Sequence, residues 1–182
     1  MSNQEQFDRI LGQFPGAKLL HEQFGLPTFE ATTADIHELL AFLKKDGYGF
    51  LTTLCGLHFP EKTGAELGVM YQLHDLPNNR RIRVKAFFSI KNPQIPTVTD
   101  LFPAAGWQER QEFDFFGIQF VGHPDLRRIL NVEDLDVFPM RKEYRLEDGT
   151  RTDKDDRYFG RDQHEGRSFE HRPDRVYLAE KN

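Results

Sequence analysis

Apolar positions in the first hundred residues follow two spacings, one typical of helices and one typical of strands. Phe7, Ile10, Leu11 and Phe14 recur at intervals of three and four, which predicts a short amphipathic helix before Pro15 and Gly16. A second helix is predicted from the apolar residues of its inward face, with Thr32 or Thr33 as its cap and Gly47 after its last turn. That face consists of Ile36, Leu39, Leu40 and Leu43.

Three strand-like runs follow the second helix, at 50–59, 65–74 and 81–90, and a short strand is predicted at 28–30. In the last of the three runs, apolar residues alternate with the basic residues Arg81, Arg83 and Lys85. The turn at 77–79 predicts a tight hairpin because asparagine tolerates positive φ. One apolar face and one basic face indicate a half-buried, mainly antiparallel sheet. Helices on its apolar face would complete a two-layer α+β domain.

The pattern becomes helical again beyond the sheet. Thr97 or Thr99 is expected to cap a short helix at 98–102, and a longer helix is predicted over about 104–116. Trp107, Phe113 and Phe116 would face inward, with Gly117 ending that helix. Arg110 and Asp114 stand four residues apart and could pair on its surface.

Charge divides the chain at residue 138. Residues 139–182 hold 11 basic and 11 acidic residues in 44 positions and two of the 17 phenylalanines. Such a segment buries too little apolar area to offset the entropy of ordering. We therefore predict a domain over 1–138 and an extended arm over 139–182. Composition leaves two interpretations of the arm open, a solvated tail and an arm that folds against a partner.

Candidate chemistry is sparse. The single cysteine, Cys55, excludes an internal disulfide and a four-thiolate cluster, and its place in an apolar strand predicts a small buried side chain. The seven histidines lack the spacing of a helical zinc site, and no phosphate-binding glycine loop is present. The start of the chain lacks the features of a signal peptide, and no apolar run has the length of a membrane span, which predicts a soluble intracellular protein.

Besides a purely structural role, two functional hypotheses can be stated. His123 and Asp125 could act as acid and base of a stand-alone enzyme, although Pro124 makes this segment a turn in which Asp125 is expected to cap the backbone. The basic strand face could bind nucleic acid, but a net charge of −5 argues against that partner. A solvated sheet face is the more common role of such residues.

One long stretch mixes aromatic, arginine and carboxylate side chains, the residue types of interface cores. It runs Glu109-Arg110, then Asp114-Phe115-Phe116-Gly117-Ile118, then His123-Pro124-Asp125-Leu126-Arg127-Arg128-Ile129-Leu130, then Pro139-Met140-Arg141-Lys142. In order and spacing it resembles the 30-kDa subunit family of proton-pumping NADH:quinone oxidoreductase (respiratory complex I). Gln111 and Phe113 depart from the family pattern, which leaves room for the equivalent subunit of a membrane-bound hydrogenase or formate hydrogenlyase.

The resemblance implies a non-catalytic structural subunit of the hydrophilic arm, which supports electron transfer from NADH to quinone. It implies no cofactor or metal on this chain, with FMN and iron–sulfur clusters carried by partners. Those partners would be the quinone-site subunit and the cluster-bearing subunits, on the cytoplasmic side of the bacterial inner membrane. The isolated chain could self-associate. The residues expected to carry the family motif and its interfaces are Glu109, Arg110, Asp114, Phe116, Gly117, His123, Pro124, Asp125, Leu126, Arg127, Arg128, Pro139, Arg141, Lys142 and Tyr144.

Overall fold

The computed structural model describes residues 3–20, 25–135 and 137–143. Three α-helices in this part of the chain are α1 (Asn3–Gln13), α2 (Ile36–Lys45) and α3 (Ala105–Phe116). Seven strands accompany them: β1 (Lys18–Leu19), β2 (Thr28–Ala31), β3 (Phe50–His58), β4 (Leu67–Asp75), β5 (Arg80–Phe88), β6 (Gln94–Pro96) and β7 (Gln119–Val121).

Five strands form the main sheet, in the order β1-β2-β5-β4-β3. Strands β3, β4 and β5 form the antiparallel meander that the alternating pattern predicts, with its hairpin turn between Asp75 and Arg80. Strand β2 lies parallel to β5, so the sheet is mixed rather than wholly antiparallel. The predicted α+β class is confirmed.

One face of this sheet carries the core. Phe29, Val84, Tyr71 and Leu54 stand side by side across four strands, and all are buried. Helix α2 adds the predicted face, in which Ile36, Leu39, Leu40 and Leu43 are fully buried. Each such aliphatic side chain contributes about 1.5–3 kcal/mol on burial. This layer of apolar side chains fixes the position of the strands on which α3 later rests.

The predicted turn residues adopt the expected backbone. Gly47 follows α2 with φ of 107°, and Asn79 closes the β4–β5 hairpin with φ of 49°. Gly117 ends α3 in the left-handed conformation, with φ of 73° and its amide bonded to the Phe113 carbonyl. At the start of α2, the Thr32 hydroxyl accepts a hydrogen bond from the Asp35 amide at 3.2 Å. Of the two threonines predicted as the cap, Thr32 is the one that makes this contact.

The predicted helix at 98–102 is wrong. This segment is a single turn, in which the Val98 carbonyl accepts the amides of Leu101 and Phe102. Thr97 caps no helix, because none begins directly after it; its hydroxyl donates to Glu109 and accepts the Thr99 amide at 3.3 Å. Strand β6 precedes this turn, and β7 follows α3. The two strands pair in parallel as a second sheet, which the sequence pattern does not predict.

Candidate functional site

Helix α3 presents a face that the apolar pattern does not predict. Trp107, expected to face inward, is 65% exposed, and Phe113 is half-buried; Phe116 is buried as predicted. In their place the helix buries Glu109, Glu112 and Asp114 almost completely. A carboxylate is buried in a protein only when other groups satisfy it. The three carboxylates therefore identify the places where α3 is bonded to the rest of the domain.

Glu109 is bonded to the turn before α3. Its Oε2 accepts the Thr97 hydroxyl at 2.5 Å, and its Oε1 accepts the Val98 amide at 2.8 Å. Burial raises the pKa of Glu109 to about 7, although these two hydrogen bonds act in the opposite direction. Glu109 thus joins α3 to the short turn that follows β6.

Glu112 bonds α3 to the outer edge of the main sheet. Its Oε2 accepts the amide of Gly56, in edge strand β3, at 2.7 Å. A Cβ on Gly56 would stand 2.6 Å from that oxygen and 2.6 Å from a Phe116 ring carbon. Burial raises the pKa of Glu112 to about 7, which the Gly56 amide partly counteracts. The glycine therefore permits the helix to lie directly against the strand.

Cys55 differs from its prediction. Its side chain is half-buried rather than part of the core, because it stands opposite Met70 on the other face of the sheet. Burial and the nearby Glu112 carboxylate both raise the pKa of the thiol. These conditions favour the neutral thiol over the nucleophilic thiolate.

Asp114 organises the loop after β7. Its Oδ2 accepts the amides of Ile129, Leu130 and Asn131 at 2.8–3.1 Å. Its Oδ1 accepts Arg128 Nη1 at 2.7 Å and the Asn131 side-chain amide at 3.0 Å. Burial alone would raise the pKa of Asp114, but these donors outweigh it and hold the pKa well below its usual range. One ionised carboxylate thus fixes three consecutive amides of the loop.

Arginine side chains complete this arrangement. The predicted Arg110–Asp114 pair does not form, because the Arg110 guanidinium donates to the carbonyls of Arg127 and Arg128, at 3.1 and 2.9 Å. Arg128 pairs with Asp114 and also donates to the carbonyls of Leu135 and Val137. Both arginines therefore bind backbone of their own chain, and neither projects freely into solvent.

The turn at 123–127 is also held by its own backbone. His123 Nε2 lies 3.1 Å from the Gly106 carbonyl, and His123 Nδ1 accepts the Asp125 amide at 3.0 Å. Asp125 does not cap the backbone as predicted; its carboxylate pairs with Arg127 at 2.9 Å, and both side chains are exposed. Both ring nitrogens of His123 are therefore occupied, and the predicted acid–base pair does not form. Within the same turn Pro124 is exposed, whereas Leu126 packs against the core.

Residues 137–143 pack against the end of α3. Arg141 Nε donates to the Phe116 carbonyl at 2.8 Å, and its guanidinium lies 4.4 Å from the centre of the Phe138 ring. The Lys142 amide donates to Nδ1 of the buried His58 at 2.9 Å. The first five residues of the predicted arm, including Pro139, thus lie on the domain itself. Tyr144 and the rest of the arm lie outside the described residues, so the arm stays a prediction.

The sequence matches a known family over much of its length. Residues 29–150 match the profile of the family described as the 30-kDa subunit of the respiratory-chain NADH dehydrogenase. The chain belongs to this family. The matched residues include α3 and the loop fixed by Asp114, with the buried carboxylates Glu109 and Asp114.

Relatives of this 30-kDa subunit support the assignment. A subunit of the NADH-quinone oxidoreductase of Rhizobium meliloti is 39% identical over 75% of this chain and 76% of its own length. Its counterpart in Moorella thermoacetica is 37% identical over 74% of this chain and 89% of its own. NADH-quinone oxidoreductase subunit 5 of Thermus thermophilus is 38% identical over 67% of this chain and 63% of its own.

Solved structures confirm the fold of the 30-kDa subunit. The trypsin-resistant fragment (1-134) of Nqo5 matches with a TM-score of 0.62 and 29% identity, over 69% of this chain and all of that one. The membrane-bound sulfane sulfur reductase, an archaeal respiratory membrane complex, contains a chain that matches with a TM-score of 0.68. At 23% identity, over 79% of this chain and 85% of that one, the second match indicates a shared fold.

Two features are absent from the described part of this 30-kDa subunit. No helix there is long and apolar enough to cross a membrane. No group of three or more histidine, cysteine, aspartate or glutamate side chains there is placed to hold a metal ion.

Three residues that take part in these contacts were not predicted from the sequence: Glu112, Gly56 and Asn131. Gly56 did carry a signal, because an isolated glycine inside a strand often marks the close approach of another element. Glu112 and Asn131 carried none that a single sequence reveals, since their partners lie far away along the chain.

Proposed function

We propose that this 30-kDa subunit is a structural component of an NADH–quinone oxidoreductase. In this proposal it takes no part in chemistry and binds no flavin, cluster or metal, while it holds neighbouring subunits of the hydrophilic arm in place. The family and the names of its relatives support membership of such a complex. The assembly role is inferred from the way the motif uses its polar side chains.

The interaction of Asp114 with the loop is the observation that carries this proposal. Nearly every polar group of the motif binds its own chain, including Glu109, Arg110, Arg128 and His123. A catalytic site needs a group within reach of a substrate to accept or donate a proton. This motif instead uses its polar groups to build a rigid loop, as expected of a docking element.

The rigid loop exposes the side chains that a docking surface needs. Leu130 is 68% exposed although its amide is fixed by Asp114, and the Arg127 side chain is 62% exposed. Exposed Trp107 is linked to this loop, because the Arg110 guanidinium lies 5.2 Å from the centre of its ring and donates to the Arg127 carbonyl. We call Trp107, Arg127 and Leu130 the motif surface. Tryptophan and arginine are enriched among residues that dominate binding energy.

The proposed partners are the quinone-site subunit and the subunits that carry FMN and iron–sulfur clusters. The proposed location is the cytoplasmic side of a bacterial inner membrane, reached through the complex. The stand-alone enzyme is disfavoured, because both nitrogens of the His123 ring bond to backbone. The remaining alternative, a hydrogenase-type complex, would differ in the proteins that accompany the chain.

Co-purification tests this proposal directly. The full-length chain, tagged at one terminus, is isolated from detergent-solubilised membranes, and its companions are identified by mass spectrometry. We expect cluster-bearing subunits and NADH:quinone activity in the same fraction. A chain that elutes alone and still turns over a substrate would overturn the proposal. Hydrogenase subunits in place of NADH-oxidising ones would favour the alternative complex.

The motif surface is tested with Trp107→Ala and Leu130→Glu. We expect each substitution to cost about 2 kcal/mol or more of binding free energy, as at a binding hot spot, which weakens assembly by roughly 30-fold. Leu76→Glu is the matched control, because Leu76 is 57% exposed but lies in the β4–β5 turn. Equal recovery of complex from all three variants would contradict the role of the motif surface.

A further inference from the structure

The sheet has a second face that no described helix covers. Along each strand, the side chains of this face alternate with those of the core. Register partners on neighbouring strands form rows that run across the sheet. One row contains Thr53, Gln72 and Arg83, and the next contains Cys55, Met70, Lys85 and Glu30. We call these residues, with Arg81, Phe87 and Lys62 beside them, the outer face.

Cations are concentrated on the outer face. Arg81, Arg83 and Lys85 occupy alternate positions of β5, and Lys62 lies 4.7 Å from the centre of the Phe87 ring. Among the described residues, the side chains of the three β5 cations form no hydrogen bond and no ion pair. Glu30 stands beside Lys85 in the register but is not within ion-pair distance of it. The outer face, as defined by these residues, holds four cations and one carboxylate, Glu30, and therefore carries net positive charge on a chain whose net charge is −5.

Arg83 is incompletely satisfied. Its Nε is buried from solvent and has no hydrogen-bond partner among the described atoms. A buried charged donor that lacks an acceptor destabilises the folded state. Because this nitrogen is buried, an acceptor from outside the sheet would reach it only after a change of the Arg83 rotamer.

The cations also repel one another. Burial lowers the pKa of Lys85, and the neighbouring charges of Arg83 and Lys62 lower it further. An anion placed among these three groups would relieve that repulsion and stabilise the charged ammonium.

We infer that the outer face binds a carboxylate-rich, extended segment of a neighbouring polypeptide in the complex. This inference rests on the proposed function, since it names the chemistry of one partner of the subunit. Alternate residues of a strand are separated by about 6.6 Å. The β5 cations therefore match the spacing of alternate acidic side chains in an extended chain. Phe87 and Phe59, both next to Lys62, add an apolar contact at one end.

A polypeptide fits this face better than a nucleic acid. Binding to nucleic acid draws on many cationic contacts and is opposed by net negative charge on the protein. Here the cations are few and lie mainly along β5 of an acidic chain. A few carboxylates on one segment would be enough to pair with them.

Zero-length carbodiimide cross-linking of the purified complex tests the partner. The reagent joins a lysine amine to a carboxylate that touches it. Peptide mapping should place Lys85 or Lys62 in a link to an aspartate or glutamate of another subunit. A link instead to a carboxylate within residues 144–182 of the same chain would overturn the inference, because the occupant would then be this chain itself.

Charge reversal provides the second measurement. Arg83→Glu with Lys85→Glu should speed dissociation of the complex at least tenfold at physiological salt. The matched control is Lys45→Glu with Lys91→Glu, which makes the same charge change at two exposed residues, one in the last turn of α2 and one after β5. Equal dissociation rates for the two double variants would overturn the inference.

A neutral pair, Arg83→Gln with Lys85→Gln, separates binding from folding. Its melting temperature in the isolated chain should equal or exceed that of the wild type, because repulsion is removed, while its complex still dissociates faster. Failure of the wild-type chain to co-purify with any subunit would refute the proposed function. Normal assembly of the charge-reversed variant would refute this inference alone.

Discussion

Asp114 and Arg128, fourteen residues apart, meet at 2.7 Å, and the Asp114 carboxylate is fully buried. Removal of one partner leaves the other charge without compensation in the interior. Asp114→Ala should therefore lower the free energy of unfolding by about 3–5 kcal/mol. Chemical denaturation of the isolated chain measures this loss.

The control for that variant is Asp125→Ala. Asp125 pairs with Arg127 at a similar distance, but both side chains are exposed. Exposed pairs contribute about 0–1 kcal/mol. Comparable losses for the two variants would show that the buried pair does not organise the loop.

The buried glutamates predict an unusual dependence of stability on pH. Burial raises the pKa of Glu109 and of Glu112 to about 7, above their ordinary value of 4.5. The folded state therefore binds more protons than the unfolded state between these values, and its stability falls as the pH rises from about 4.5 to 7. The loss is at most roughly 3 kcal/mol for each carboxyl group.

Glu109→Gln and Glu112→Gln should each flatten this part of the pH profile. Exposed Glu61→Gln, as a control, should leave its slope unchanged. Melting temperatures measured from pH 4.5 to 8 report the slopes. A wild-type stability that rises over this range would contradict the prediction.

Close packing of α3 on β3 is tested at Gly56. A methyl group there would overlap Glu112 and Phe116 at 2.6 Å, so Gly56→Ala should cost about 1–3 kcal/mol. Gly12→Ala is the matched control, because a Cβ at this helical position meets nothing within 4 Å. That variant should raise the stability by up to about 1 kcal/mol. Equal changes would show that contact with the helix does not require the glycine.

Arg141 is predicted to hold residues 137–143 on the domain. Arg141→Met keeps a long side chain but loses the hydrogen bond to the Phe116 carbonyl. A bond from a charged donor contributes about 1.5–3 kcal/mol, so the Lys142 amide, bonded to His58, should exchange with solvent at least tenfold faster. Hydrogen exchange measures this rate. Met140→Gln, a change at a side chain that is 56% exposed, should leave this rate unchanged.

Local patterns predicted the meander well. The alternation of Ile82, Val84, Ala86 and Phe88 with polar residues defines β5, and Asn79 marks its turn. Strand and turn signals of this kind lie within a few residues of each other, so one sequence reveals them. The parallel pairing of β2 with β5 joins residues more than fifty positions apart, and no local signal reports it.

Helix α3 shows why the site was only partly predicted. A pattern of apolar residues assigned Trp107 to the interior, whereas the structure buries Glu109, Glu112 and Asp114 instead. Whether a carboxylate can be buried depends on donors supplied by other segments, and these lie at 56, 97–98 and 128–131. The resemblance drew attention to this segment, and its role as an interface stays a prediction. The pairing of Arg110 with Asp114 was assigned from helical spacing alone and is wrong.

The placement of α3 along β3 has a consequence for the protein before it joins its complex. An uncovered outermost strand invites hydrogen bonding from other chains, a common route to aggregation. Here Glu112 occupies an outward amide of β3, and the opposite margin is formed by β1, only two residues long. On a newly synthesised copy, this amide of β3 is therefore already occupied, and the margin at β1 offers other copies only a short length of backbone to pair with.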